Sequence, residues 1–123
     1  MTIQNCYEKL GGDYEGVLGR LGSEALVQRF LIKFLSDTSF LDLKEGIEKQ
    51  DPEAAFRGAH TLKGVCMNLA FDDLFTVSDA LTEHLRGGEL SEGYETLFEK
   101  VEVEYKKTMD AIKEFSEVYS QKV

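Results

Sequence analysis

Asp51-Pro52-Glu53-Ala54-Ala55-Phe56-Arg57-Gly58-Ala59-His60-Thr61-Leu62-Lys63-Gly64-Val65-Cys66-Met67-Asn68-Leu69 carries both a helix start and a single apolar face. Asp51 is a capping acid, and Pro52 follows at the first helical position, where a missing N–H leaves no partner short. Ala55, Ala59, Leu62, Cys66 and Leu69 then recur at alternating steps of four and three, the period of a buried helical seam. No strand-like alternation competes with this pattern, here or elsewhere in the chain.

The same period extends outward in both directions. Upstream, two short segments, near Ile3–Leu10 and Tyr14–Leu21, are separated by Gly11-Gly12 and closed by Gly22. Ser23 reads as an N-cap, with Glu24 in the first turn where the helix dipole favours an acid. Leu26, Phe30 and Phe34 form an apolar stripe as far as Ser36-Asp37, and Phe40, Leu43 and Ile47 mark a further helix. Downstream, Asp72 or Asp73 is expected to cap a helix bearing Leu74, Val77, Leu81 and Leu85, which Gly87-Gly88 stops. A last helix is expected from near Ser91 almost to the C-terminus, with Leu97, Val101, Tyr105, Ile112 and Phe115 as its stripe. About 30 helical residues would span roughly 45 Å, enough to overhang a bundle or to pack on the N-terminal segments. The pattern predicts an all-α fold in one domain, residues 1–123. An antiparallel up-down four-helix bundle covers about 23–123, with short additional N-terminal helices over about 1–22.

Composition narrows the function. Charged residues make up 30% of the chain and hydrophobic ones 42%, with one proline, which fits a compact rather than a disordered protein. The net charge of −9 and the pI of about 4.7 repel nucleic acid and anionic membrane, leaving proteins or cations as partners. Met1-Thr2-Ile3-Gln4-Asn5 has neither the basic cluster nor the apolar core of an export signal, and no apolar run approaches the roughly 20 residues of a membrane span. Cys6 and Cys66 are too few for a disulfide framework, so a cytoplasmic location is expected. A monomer is the simplest expectation. Cys66 reads as a small core residue and Cys6 as an exposed, oxidisable one.

On the 51–69 helix, His60 points roughly 140° from the centre of the apolar seam, at about 100° per residue, and is expected to be exposed. Lys63 and Gly64 lie on either side of it one turn later, and Phe56 and Met67 continue the strip. An interior helical glycine costs roughly 0.5–1 kcal/mol against alanine, and nothing about Gly64 suggests a helix end. Such a position admits something close to the backbone, here a phosphoryl group or the surface that delivers it. The imidazole is a nucleophile near neutral pH, and the lysine is a flexible cation able to reach oxygens placed on it. The residues alone leave other readings open. An exposed histidine is ordinarily a solvated side chain, a helical glycine also serves close packing, and Phe56 and Met67 also serve as contacts to neighbouring helices. His84 reads as a surface residue. A zinc site from His60, His84 and Cys66 fails because Cys66 lies about 120° around the helix from His60.

The stretch Ala59-His60-Thr61-Leu62-Lys63-Gly64-Val65-Cys66-Met67-Asn68-Leu69 resembles the signature of the histidine-containing phosphotransfer (HPt) domains of two-component signalling. Leu26, Phe30 and Phe34 upstream, and Leu81-Thr82-Glu83 with Gly87-Gly88 downstream, follow the same order. The resemblance is close over about residues 20–90 and holds for the terminal helices in character only. It implies that His60 accepts a phosphoryl group from an aspartyl phosphate on a receiver domain and passes it to another receiver. It further implies that Lys63 steadies phosphoryl oxygens and that Gly64 gives access; from their positions, Phe56, Met67, Thr82 and Glu83 are expected to face the partner. The chain departs from the family in three places. Val65, Cys66 and Met67 stand where small residues are usual, and Ala70 where glycine is common. Thr82, with Glu83 next to it, stands where a Gln or Glu often sits 22 residues after the histidine, which leaves the partner of the second ring nitrogen unassigned.

The chain has no glycine-rich nucleotide boxes and no alternating strands with clustered aspartates, so it is expected to be neither a kinase nor a receiver, and not an enzyme. It is expected to need no cofactor of its own. The partner, a response-regulator receiver domain or a hybrid histidine kinase, is expected to bring the catalytic acids and Mg²⁺. The competing expectation is a helical module that docks a receiver without being phosphorylated. A metal-binding helical enzyme lacks the repeated Glu-x-x-His ligands such bundles use.

Overall fold

A computed structural model describes residues 1–121. Within them the chain forms seven α-helices and no strand: α1 Ile3–Leu10, α2 Tyr14–Leu21, α3 Glu24–Lys33, α4 Ser39–Glu48, α5 Pro52–Leu69, α6 Asp72–Leu85 and α7 Tyr94–Gln121. A 3-10 turn, Phe34–Ser36, carries α3 toward α4. The start signals act where the chemistry puts them. The side chains of Thr2, Asp13, Ser23 and Asp51 each accept a hydrogen bond from a first-turn backbone N–H. Helix α4 begins after Thr38 without a side-chain cap, and so does α6 after Phe71. Asp72 and Asp73, expected as caps, lie inside its first turn, where they complement the dipole instead.

Helices α4 to α7 pack in sequence, each on the next, as the all-α bundle reading requires. Helices α4 and α5 approach each other closely. A Cβ on Gly58 would come within 2.5 Å of the Leu43 backbone nitrogen, and one on Gly46 within 2.5 Å of the Ala55 nitrogen. The two helices therefore touch through backbone at these glycines. On the other side of the bundle, the Phe40 ring stacks on Tyr105 (centroids 4.0 Å apart, 11° between planes) and on Phe98, joining α4 to α7.

The short N-terminal helices pack under one end of the bundle. Tyr7 of α1 donates its hydroxyl to the Leu69 carbonyl at 2.8 Å, and Arg20 of α2 donates to the carbonyls of Met67 and Asn68. Together they satisfy the C-terminal carbonyls of α5, which an α-helix leaves without intrahelical partners. The rings of Tyr14 and Tyr7, and of Phe71 and Phe34, meet edge to face, and Tyr7 and Phe71 are tilted against each other, so the four run together into the core. Of the two arrangements open to α7, overhang or packing on the N-terminal segment, the second is present: Lys9 pairs with Glu114 at 2.9 Å and the Cys6 thiol sits 3.5 Å from the Ala111 carbonyl. Cys6 is thus fully buried rather than exposed and oxidisable. Loss of solvation pushes its thiol up to about 12, with Glu114 adding to the shift.

One apolar stripe is rotated from the expected one. In α3 the buried residues are Val27 and Leu31, continued by Phe34, whereas Leu26 is half-buried and Phe30 is exposed. Spacing alone does not separate two adjacent stripes on a helix apolar on both flanks. The α5 seam, Ala55, Ala59, Leu62, Cys66 and Leu69, is buried throughout as expected.

Candidate functional site

The α5 seam turns one strip of the helix outward, and His60 lies on it, exposed. Among the described residues neither ring nitrogen has a hydrogen-bond partner. The ring is instead aligned by Phe56 one turn earlier, the two planes lying parallel within 5° and their centroids 5.8 Å apart. Phe56 is half-buried, so it acts as a fixed shelf under the imidazole as well as an apolar surface beside it.

Gly64 answers a question that the sequence leaves open. A Cβ built there meets nothing within 4 Å, in contrast to Gly58 and Gly46 on the α4–α5 contact. Gly64 serves no close packing among the described residues. It leaves a bare stretch of backbone beside His60, open to the outside.

Lys63 lies on the other flank, its side chain only 22% exposed, and reaches across to α6. Its Nζ sits 2.9 Å from Asp79 Oδ1 and 3.9 Å from Glu83 Oε1. Glu83 in turn accepts two hydrogen bonds from Arg86, at 3.0 and 2.8 Å. Those bonds hold the Glu83 carboxyl below the usual carboxylate range, with smaller pulls from Lys63 and His60. Arg86 also stands over the Phe56 ring, 5.4 Å from its centroid, a cation–π distance. Two cations and two carboxylates thus frame the imidazole from α5 and α6.

The structure brings His60, Lys63, Gly64, Phe56 and Glu83 to one face, and Met67 is exposed further along the same helix. Thr82 does not join them. It is fully buried and its hydroxyl donates to the Ser78 carbonyl at 2.7 Å, because position 82 falls on the inner seam of α6 with Ser78, Leu81 and Leu85. Its expected place on the docking surface is therefore wrong. Asp79 and Arg86 were missed. The signal available was the spacing of 79, 83 and 86, steps of four and three along the polar face of α6. His84 is half-buried and its Nε2 lies 3.1 Å from the Ser91 carbonyl, tying the end of α6 to the loop before α7. No group of three or more His, Cys, Asp or Glu among the described residues is arranged to hold a metal ion.

A groove of about 650 Å³ opens elsewhere, lined by Leu21, Phe30, Lys33 and Phe34 with Val65 and Leu69 of α5. None of the residues around His60 contributes to it. The imidazole is exposed on the helix surface, where another protein can reach it.

An all-helical bundle that exposes an imidazole beside a lysine has the architecture of a helical phosphotransfer domain. The family model of the Hpt domain matches residues 25–115, and the chain belongs to that family. Hpt domains act in two-component signalling as phosphotransfer carriers rather than kinases, and they interact with receiver domains and histidine kinases. No curated protein and no solved structure matches the chain. No helix among the described residues is long and apolar enough to cross a membrane.

Proposed function

We propose that this chain is a phosphorelay intermediate in which His60 takes a phosphoryl group from an aspartyl phosphate of one receiver domain and gives it to another. The observation that carries the reading is the open backbone at Gly64, where even a methyl group would meet nothing within 4 Å, directly beside an exposed, ring-aligned histidine. Gly19 in α2 is equally open, so the weight falls on place: Gly64 is the open helical glycine that lies one turn from His60, where something from outside can approach the backbone.

In the step, a lone pair of a neutral imidazole nitrogen forms the N–P bond while the P–O bond to the receiver's aspartate breaks, leaving its electron pair on that carboxylate. The ring keeps its other N–H, so the doubly charged aspartyl phosphate becomes one carboxylate and one phosphoryl-imidazolium with a net charge of −1. Lys63 offsets the charge of the arriving oxygens, and Gly64 leaves room for them. Phe56, Met67 and Glu83 meet the partner. The receiver supplies the catalytic acids and Mg²⁺, since in phosphoryl transfer positioning and charge neutralisation do most of the work. In this reading the protein works as a cytoplasmic monomer between a hybrid histidine kinase and a response regulator.

The test is to supply a phosphorylated receiver and follow label into wild type and His60→Gln. An acid-labile, alkali-stable phosphate that disappears in the variant is the expected result. Wild type that binds the receiver yet stays unlabelled would overturn the reading and leave an inert docking module.

A further inference from the structure

The ammonium that should meet the phosphoryl group is already occupied. Lys63 Nζ lies 2.9 Å from Asp79 Oδ1, and the lysine side chain is only 22% exposed, so it rests against α6 rather than sweeping through solvent. Glu83 stands farther off at 3.9 Å and is itself engaged by two hydrogen bonds from Arg86. Asp79 makes no other ion pair among the described residues. It is therefore the carboxylate that holds Lys63 in the unphosphorylated protein.

We propose that Asp79 sets the phosphoryl-transfer potential of His60 by competing with the phosphoryl group for the Lys63 ammonium. The proposal rests on His60 being the phosphoacceptor. When the N–P bond forms and the receiver's aspartate departs with its electron pair, phosphoryl oxygens appear one helical turn from Lys63. Attraction that the ammonium keeps for Asp79 is withheld from those oxygens, and the carboxylate also repels them. Both effects weaken the phosphorylated state relative to the free histidine. The group therefore stays ready to leave for a second receiver instead of settling on His60. Asp79 is a positioning residue, since it acts through Lys63 and touches no reacting atom.

The experiment measures how label divides at equilibrium between a phosphorylated receiver and this protein, using wild type, Asp79→Asn, Asp79→Glu, Lys63→Met and the Lys63→Met/Asp79→Asn pair. Asp79→Asn should raise the ratio of phosphohistidine to aspartyl phosphate roughly two- to fivefold, the range expected for releasing a partly exposed ion pair. Asp79→Glu should return it close to wild type. Without Lys63, the Asp79→Asn shift should shrink to well under half. An unchanged or lowered ratio in Asp79→Asn, or a full-sized shift persisting without Lys63, would overturn the proposal while wild-type labelling kept His60 as the acceptor. Loss of the helical circular dichroism in Asp79→Asn, with Asp79→Glu intact, would make Asp79 a structural residue and also overturn it. Wild type that takes no label would remove the phosphoacceptor reading itself, and this proposal with it.

Discussion

Gly64→Ala should make the protein more stable and a worse phosphoryl acceptor. Gly64 lies inside α5, five residues before its end at Leu69, and an added Cβ meets no neighbour within 4 Å. The substitution therefore keeps the full helix-propensity gain of roughly 0.5–1 kcal/mol with no clash to offset it. For a chain of 123 residues that gain corresponds to a rise of about 2–4 °C in Tm. Urea unfolding should show the midpoint moving up at constant slope, the sign of a pure stability change. The rate of label transfer from a phosphorylated receiver should fall roughly tenfold, and further in Gly64→Gln, because small displacements from the reactive geometry are expensive in rate. Two results would refute the reasoning. A loss of stability would mean that the backbone here needs glycine for folding. A Gln variant that accepts phosphate at the wild-type rate would mean that the open patch admits nothing.

Gly58→Ala should do the opposite on the same helix, destabilising by about 1–3 kcal/mol, because its Cβ would lie 2.5 Å from the Leu43 nitrogen and force α4 away from α5; denaturant unfolding checks the sign. Ser78→Ala should stabilise by about 1 kcal/mol in the same assay, since the Ser78 hydroxyl is fully buried on the α6 seam without a hydrogen-bond partner and alanine is the better helix former. Both thiols are buried and should resist a thiol reagent in the native protein yet react at once in denaturant. Cys6 ionises near 9.0 when exposed and only near 12 when folded, so its share of stability is whole below pH 9 and declines as the pH climbs toward 12. Unfolding midpoints measured across that window should fall, and should fall less in Cys6→Ala.

The fold was legible because each helix carries independent, agreeing signals. In α5 the capping acid, the proline and the four-and-three spacing all point to one element and one inward face. Where a signal was ambiguous, the reading slipped. Leu26, Phe30 and Phe34 form as regular a stripe as Val27, Leu31 and Phe34, and only the packing of α3 against its neighbours selects the second. The N-terminal helices illustrate another limit. Their role depends on Tyr7 and Arg20 reaching the last carbonyls of α5, a contact between residues far apart in sequence that no local pattern announces. Such contacts also explain how Ala70 can stand at a position with φ of +57°, where glycine would be strain-free. Its carbonyl accepts from the Asp13 N–H at 2.9 Å, so α2 helps to hold the turn.

The site divides in the same way. Periodicity on α5 tells its two interior glycines apart. Position 58 falls on the seam with Ala55, Ala59 and Leu62 and meets α4, whereas position 64 lies across the helix and meets nothing. A helical wheel is therefore enough to see that His60 and Gly64 share an outer face. The wheel cannot say what α6 sets against that face, because this depends on the rotation of one helix about its axis relative to another. On α6 that rotation turns Thr82 inward and brings Asp79, Glu83 and Arg86 toward Lys63 and Phe56. The result is a balanced set of two cations and two carboxylates around the imidazole, within a chain of net charge −9. A lysine standing alone would hold a phosphoryl group, whereas one already paired with a carboxylate has to share. On the proposed reading of His60 as the phosphoacceptor, the carrier must release what it accepts, and the pairing on α6 then matters as much as the nucleophile on α5.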